Sequence, residues 1–225
     1  MACYIAQNGD IYVANAGDCR AVIGTKGVPS TTNNNNNSTT KTKLHAVPLS
    51  NDHNCKHPHE RMKLERLHPN EDNIVKCKPT NPDACYVKGR LQPTRALGDL
   101  YLKYAEFNGP SATDRTRGRH IPAPYTPPYI TAEPEVIRRP ANTNDQFMVI
   151  ACDGLWDVMS NQEVVDFVSS YDGQPQDISD ALITEALRKA AEENKMTLNE
   201  LLAIRQGKRR KKHDDLTVIV VNMGK

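Results

Sequence analysis

Apolar residues in this chain fall into short runs near its two ends and thin out in the middle. Residues 2–6 and 11–15 are strand-like runs separated by Gln7-Asn-Gly-Asp10. Asn-Gly and Gly-Asp between two such runs predict a tight hairpin, since these residues tolerate turn geometry. A third run covers 19–23, so the chain opens as a β-meander. Two later runs, 147–152 and 216–221, are apolar and β-branched and have the length of buried strands. Between them the period changes. Ser160-x-x-Glu163 is a capping box ahead of Val164, Val165, Phe167 and Val168. Ile178, Leu182, Ile183, Ala186, Leu187 and Ala190 recur at helical spacing, and Thr197-x-x-Glu200 caps a third helix carrying Leu198, Leu201, Leu202 and Ile204. A short surface helix is expected over residues 60–67, after Pro58. Strands, then helices, then a returning strand make an α+β pattern.

Two segments stand apart. Residues 30–43 are Ser, Thr, Asn and Lys only, which predicts a low-complexity loop between strands. Residues 105–129 form a Pro/Arg-rich insertion with Pro110, Pro122, Pro124, Pro127 and Pro128, expected to carry no regular element.

Composition narrows the class. Mean hydropathy is −0.64, and no apolar run approaches the ~18 residues of a membrane helix. The first residues carry no basic leader, so no secretory signal is expected. Net charge is +2, from 29 basic and 27 acidic residues. The isoelectric point of 8.2 falls below the ~9 of dedicated nucleic-acid binders. The basic run Lys208-Arg-Arg-Lys-Lys212 is read as a solvated connection, with steering of phosphorylated substrates as a further use. Six Cys form no C-x-x-C pair, which suggests a reduced chain inside the cell; cytoplasm or nucleus is expected ahead of mitochondria, although the sequence itself does not show the compartment. His53, Cys55, His57 and His59 alternate but lack the paired half-site spacing of structural zinc.

The chemistry lies in carboxylates at strand ends. Asp18 sits in the turn between two early strands, Asp153 directly follows the run 147–152, and Asp214 directly precedes 216–221. Asp157 is four residues beyond Asp153, so a helical turn sets the two on one side. Like charges within a few ångströms raise each other's pKa. A hard divalent cation relieves that repulsion, and Mg²⁺ or Mn²⁺ needs only a few carboxylates because it keeps several waters.

These residues lie within blocks that resemble one family, the metal-dependent protein serine/threonine phosphatases of the 2C type. Asn15-Ala-Gly-Asp-Cys-Arg20 is similar to its Asn-x-Gly-Asp-Ser-Arg turn. Leu49-Ser-Asn-Asp-His53 resembles its Asp-His segment, and Gly89 to Asp99 its Leu-x-x-Ser/Thr-Arg-Ala-Leu-Gly-Asp block. Ile130 to Val136 resembles its Glu-Pro strand, Ala151 to Met159 its Asp-Gly-Leu-Trp-Asp block, and His213 to Val220 its closing strand. The segment 57–108 most resembles plant-type enzymes and pyruvate dehydrogenase phosphatases.

The resemblance implies a four-layer α/β/β/α sandwich. It implies hydrolysis of phosphoserine and phosphothreonine in proteins by a metal-activated water, with two Mg²⁺ or Mn²⁺ ions and room for a third. Asp153 and Asp214 match metal ligands; Asp18 and Asp157 match acids of the third ion. Gly154, Asp215, Arg95 and Asp99 are supporting positions, and Arg20 a structural ion-pair partner. Phosphoproteins are the expected partners, without nucleic acid or membrane, and a monomer is expected. The family's Asp-Gly-His-Gly segment does not occur in this sequence. The chain therefore aligns with the carboxyl-terminal two-thirds of the domain, with the amino-terminal strands and helix missing, and feeble catalysis is expected of it alone. The alternative is a non-catalytic relative that binds phosphoproteins or regulates an active phosphatase.

Overall fold

The computed structural model describes residues 1–27, 43–109 and 120–223. Along the chain the elements are β1 (Ala2–Ile5), β2 (Ile11–Asn15), β3 (Arg20–Lys26), β4 (Leu44–Pro48), α1 (Pro58–Leu67), β5 (Val75–Lys78), β6 (Asn81–Val87), β7 (Glu135–Arg139), β8 (Asp145–Ala151), α2 (Asp153–Trp156), α3 (Asn161–Ser170), α4 (Ile178–Glu193), α5 (Leu198–Ala203) and β9 (Val218–Asn222). The expected loop 30–43 lies outside the described residues except for Lys43, as does the 110–119 part of the Pro/Arg-rich insertion. The described part of that insertion includes one 3-10 turn, Ala105–Phe107, against the expectation of no regular element.

Two compact units divide the chain. The larger comprises residues 2–13, 19–50 and 136–225. It holds a three-stranded sheet ordered β1-β2-β7 and a four-stranded sheet ordered β4-β3-β8-β9. Side chains of a strand alternate between faces, and β3 uses both. Ala21 and Ile23 cluster with Ile11 and Val13 of β2 and Met148 of β8, filling the space between the sheets. Val22 turns the other way, with Phe147 and Val149, onto Leu155, Trp156, Val164, Val165, Val168, Leu182 and Ala186 of the helices. Each Val, Leu, Ile, Phe or Met among them contributes roughly 1.5–3 kcal/mol when removed from water. Helices, four-stranded sheet and three-stranded sheet are thus three layers of the expected sandwich.

The local signals explain the boundaries. Gly9 adopts φ +85°, which closes the first hairpin, and its N–H donates to the Ala6 carbonyl at 2.9 Å. Helix α3 begins at the capping box, with Ser160 Oγ accepting from the Glu163 N–H at 3.3 Å and Glu163 accepting from the Ser160 N–H at 2.8 Å. Thr197 and Glu200 do the same for α5. Among the described residues no helix is long and apolar enough to cross a membrane.

The smaller unit comprises residues 14–18 and 51–135, with Met1. Pro58 opens α1, where a missing N–H costs nothing. The helix buries Leu64 among Cys55, Ile74, Val87, Leu102 and Ile130. A two-stranded ribbon, β5 against β6, sets Cys77 opposite Cys85, and the two form a disulfide. This corrects the expectation of a fully reduced chain for that pair; the cross-strand register, invisible without the ribbon, brings the sulfurs together. The carboxylate of Glu71 is buried. Burial alone pushes it upward, but the Lys88 ammonium at 2.7 Å and the hydroxyls of Thr126 and Tyr129 hold it below the ordinary range.

Glu163 gives this fold a pH dependence. Its hydrogen bond to Lys189, then those from Ser160, depress its pKa from 4.5 to about 2. A depressed carboxylate contributes stability fully above the unfolded value and loses it as pH falls through the folded one. The advantage of the native chain over Glu163→Gln in urea unfolding is therefore expected to be constant above pH 4.5 and to fade from there towards about pH 2. An advantage undiminished at the acid end would show that the contact is not ionic.

Candidate active site

The candidate site in the larger unit is assembled by one strand pair. β8 and β9 run antiparallel in the register Phe147↔Asn222 through Ala151↔Val218. The chain leaving β8 and the chain approaching β9 are consequently neighbours. The first carries Cys152, Asp153 and Gly154; the second carries Asp214, Asp215 and Thr217.

Three contacts fasten these segments together. The Cys152 N–H donates to the Thr217 carbonyl at 3.2 Å. The Cys152 thiol donates to the Asp215 carbonyl at 3.0 Å, and its sulfur accepts from the Thr217 N–H at 3.2 Å. Gly154 then passes so near that a Cβ there would collide with the Asp215 carbonyl oxygen and lie 3.4 Å from the Asp214 carbonyl carbon. Only glycine permits that approach.

The short helix α2 orients the acids. Asp153 is its first residue, and the Asp157 N–H donates to the Asp153 carbonyl at 2.8 Å. One turn therefore separates the two carboxylates. Trp156 anchors the turn: it is buried, and its Nε1–H donates to the Ala151 carbonyl at 3.0 Å. Arg20 lies over the Trp156 ring at 5.1 Å and donates to Asn161 Oδ1 at 2.6 Å. Asp214 Oδ1 accepts from the Asp215 N–H at 2.7 Å and from Arg210 at 2.8 Å. Asp215 is exposed, and its backbone carbonyl makes the closer contacts in the site.

Thus Asp153, Gly154, Asp157, Asp214 and Asp215 belong to one unit. Asp18, Arg95 and Asp99 belong to the other. There, Asn54 Nδ2 donates to Asp18 Oδ2 at 2.7 Å. Burial pushes the Asp18 carboxyl above its ordinary value, with Asn54 working against the shift. Gly17, next to it, takes φ +134°. Its carbonyl accepts from the His53 N–H at 3.0 Å and from Asn15 Nδ2 at 2.9 Å. Arg95 donates to the Glu133 carbonyl at 2.9 Å, and Asp99 has φ +46° ahead of a 3-10 turn.

Sequence reasoning did not single out Cys152, Asn54 or Arg210 as contacts of these acids. Cys152 abuts Asp153 and could have been suspected. Asn54 and Arg210 meet their acids only through the fold.

The donors suit a hard cation in kind. The carboxylates and the Asp215 carbonyl at the close Gly154 approach offer oxygen, and a Mg²⁺ or Mn²⁺ ion that keeps several waters needs one or two carboxylates. Among the described residues, no group of three or more His, Cys, Asp or Glu is arranged to hold a metal ion.

The Gly154 contact is testable. In Gly154→Ala the added methyl meets backbone, which cannot swing aside. The expected cost is about 1–3 kcal/mol in chemical denaturation, as for other overpacked positions. A variant as stable as the native chain would mean that the two segments are not held together.

Comparison with known proteins agrees with this fold. The family model of Protein phosphatase 2C matches residues 1–195. Among curated relatives, "Probable protein phosphatase 2C 64" of Arabidopsis thaliana is 40% identical over 215 residues, covering 95% of this chain and 49% of the relative. "Probable protein phosphatase 2C 48" of the same plant is 39% identical over 218 residues, covering 96% and 52%. The chain spans about half the length of the curated relatives it matches. Among solved structures, the serine-threonine phosphatase 2C of Toxoplasma gondii superposes with a TM-score of 0.57 at 20% identity, covering 98% of this chain and 56% of the other. A C. elegans sex determining protein gives 0.60 at 18% identity, covering 98% and 38%. With the family model matched across most of its length, the chain belongs to the protein phosphatase 2C family.

Proposed function

We propose that this chain supplies the Asp153–Asp214 end of a metal-dependent site, and that the protein hydrolyses phosphoserine and phosphothreonine in phosphoproteins. One observation carries the reading: the β8–β9 register brings the chain at Asp153 and the chain at Asp214 side by side. Family membership supports it independently.

Mg²⁺ or Mn²⁺ is the proposed cation class, with Asp153 and Asp214 as its ligands. Such an ion neutralises phosphoryl charge and activates water for attack. The chain's own part is to hold the two carboxylates. Gly154 and Cys152 set the backbone spacing, and Trp156 fixes the turn on which Asp153 stands. Asp18 and Asp157 carry the family match for a further, more weakly held ion, and that assignment rests on resemblance. Arg95 and Asp99 are proposed to act through backbone structure rather than through metal.

The alternative reading is a relative that binds phosphoproteins or regulates an active phosphatase. A single experiment separates the two. Phosphate release from a phosphothreonine peptide is measured with and without Mn²⁺, for the native chain and for Asp153→Asn. The expected result is slow release that requires Mn²⁺ and falls at least about tenfold in the variant. Release that ignores both Mn²⁺ and the substitution overturns the proposal. Mn²⁺ binding that depends on Asp153, without phosphate release, favours the second reading.

A further inference from the structure

The basic run 208–212 ends in an unexpected contact. It is built on a 3-10 turn, Arg209–Lys211. From that turn Arg210 reaches forward four residues. Its NH1 stands 2.8 Å from Asp214 Oδ1, and its NH2 donates to Asp214 Oδ2 at 3.2 Å. The guanidinium therefore engages both oxygens of one carboxylate, the paired geometry that distinguishes Arg from Lys. NH1 also donates to Asp215 Oδ2 at 3.2 Å.

Two cations compete for one carboxylate. A divalent ion on Asp214 needs an oxygen that Arg210 engages, and the two positive charges repel at such range. The Arg210 side chain is 64% exposed and that of Asp214 32%. A pair so open to water is weak and exchangeable, not a locked core bridge. We infer that Arg210 is the resident counter-cation of Asp214, and that a divalent cation takes this carboxylate by displacing the guanidinium. The inference rests on the proposed role of Asp153 and Asp214 as cation ligands. Arg210 acts on the ion through Asp214 and is a positioning residue. Asp215 gives the displaced guanidinium a second carboxylate to hold.

The consequence is a cation affinity held below what the carboxylates alone would offer. Mn²⁺ binding to the full chain is measured by the loss of the free-ion electron paramagnetic resonance signal, so that no turnover is required. Arg210→Gln, at an exposed position, is expected to bind Mn²⁺ about threefold to fivefold more tightly at low ionic strength, the range of an exposed ion pair. The gain is expected to shrink in high salt. Arg210→Lys keeps the charge without the fork and is expected to lie between. Lys211→Gln removes an equal charge from the same turn, at a residue outside the partners of Asp214, and is expected to stay close to the native value. Equal affinity in the native chain and Arg210→Gln overturns the inference. So does an equal gain in Lys211→Gln, which would reduce the effect to the general field. If Asp153→Asn and Asp214→Asn abolish binding while Arg210→Gln matches the native chain, the inference alone falls. If those two variants bind normally, or Arg210→Gln shows no saturable Mn²⁺ binding, the ligand assignment falls with it.

Discussion

The pairing of β8 with β9 is the constraint on which the candidate site depends. β8 lies inside the four-stranded sheet, between β3 and β9. Its register against β3 is set by Arg20↔Ala151 through Gly24↔Phe147, and that against β9 by Phe147↔Asn222 through Ala151↔Val218. A slip of one residue would exchange every buried side chain for an outward one. Val220 packs towards the helices and Val221 towards the other sheet. The apolar alternation that builds the core therefore also decides which residues of the two flanking segments meet. The approach of the chain at Cys152 and Gly154 to the chain at Asp214 and Asp215 is inherited from packing.

Carboxylates placed by packing still need their charge offset. The structure does this with short-range means. Asp214 takes the N–H of Asp215 and the guanidinium of Arg210. In the smaller unit Asp18 takes the amide of Asn54, and the same burial that orders it works against its charge. The two acids are thus compensated differently. One faces an exposed cation that solvent can replace; the other faces a neutral donor drawn from 36 residues away. A neutral donor does not cancel charge, so desolvation prevails at Asp18.

Much of this was legible in the amino-acid sequence, and the reason is locality. Ser160 with Glu163 and Thr197 with Glu200 are contacts within one turn, so their spacing alone announced α3 and α5. The run 147–152 became β8, displaced by one or two residues at each end. The final run, 216–221, became β9 over Val218–Asn222, because Leu216 and Thr217 belong to the approach that Cys152 fastens. The acids at strand ends were legible for the same covalent reason. The ribbon of β5 and β6 was not. Its residues include Lys76, Lys78, Asn81, Pro82 and Asp83, which hide the strand period, and with the ribbon went the Cys77–Cys85 pairing. Asn54 and Arg210 were equally hidden: a polar side chain in an irregular segment gives no periodic signal until a partner stands opposite.

The run 208–212 shows how far composition can mislead. Five consecutive basic residues suggest a uniform patch, yet the fold gives its members different tasks. Arg209 donates to the Ile204 carbonyl at 3.3 Å and so ties the turn back to the end of α5. The Lys212 carbonyl accepts from Asn194, just beyond α4, at 3.1 Å. With the turn anchored on both sides, Arg210 is the member aimed at Asp214. The anchors hold the turn, while the exposed Arg210 side chain keeps its pairing with Asp214 exchangeable. Because the turn is fixed to α4 and α5, and β9 to the sheet, the distance between them is set by the same core that aligns Asp153. A residue bearing the opposite charge stands at the carboxylate it balances, and the proposed cation would have to exchange with it for one oxygen pair.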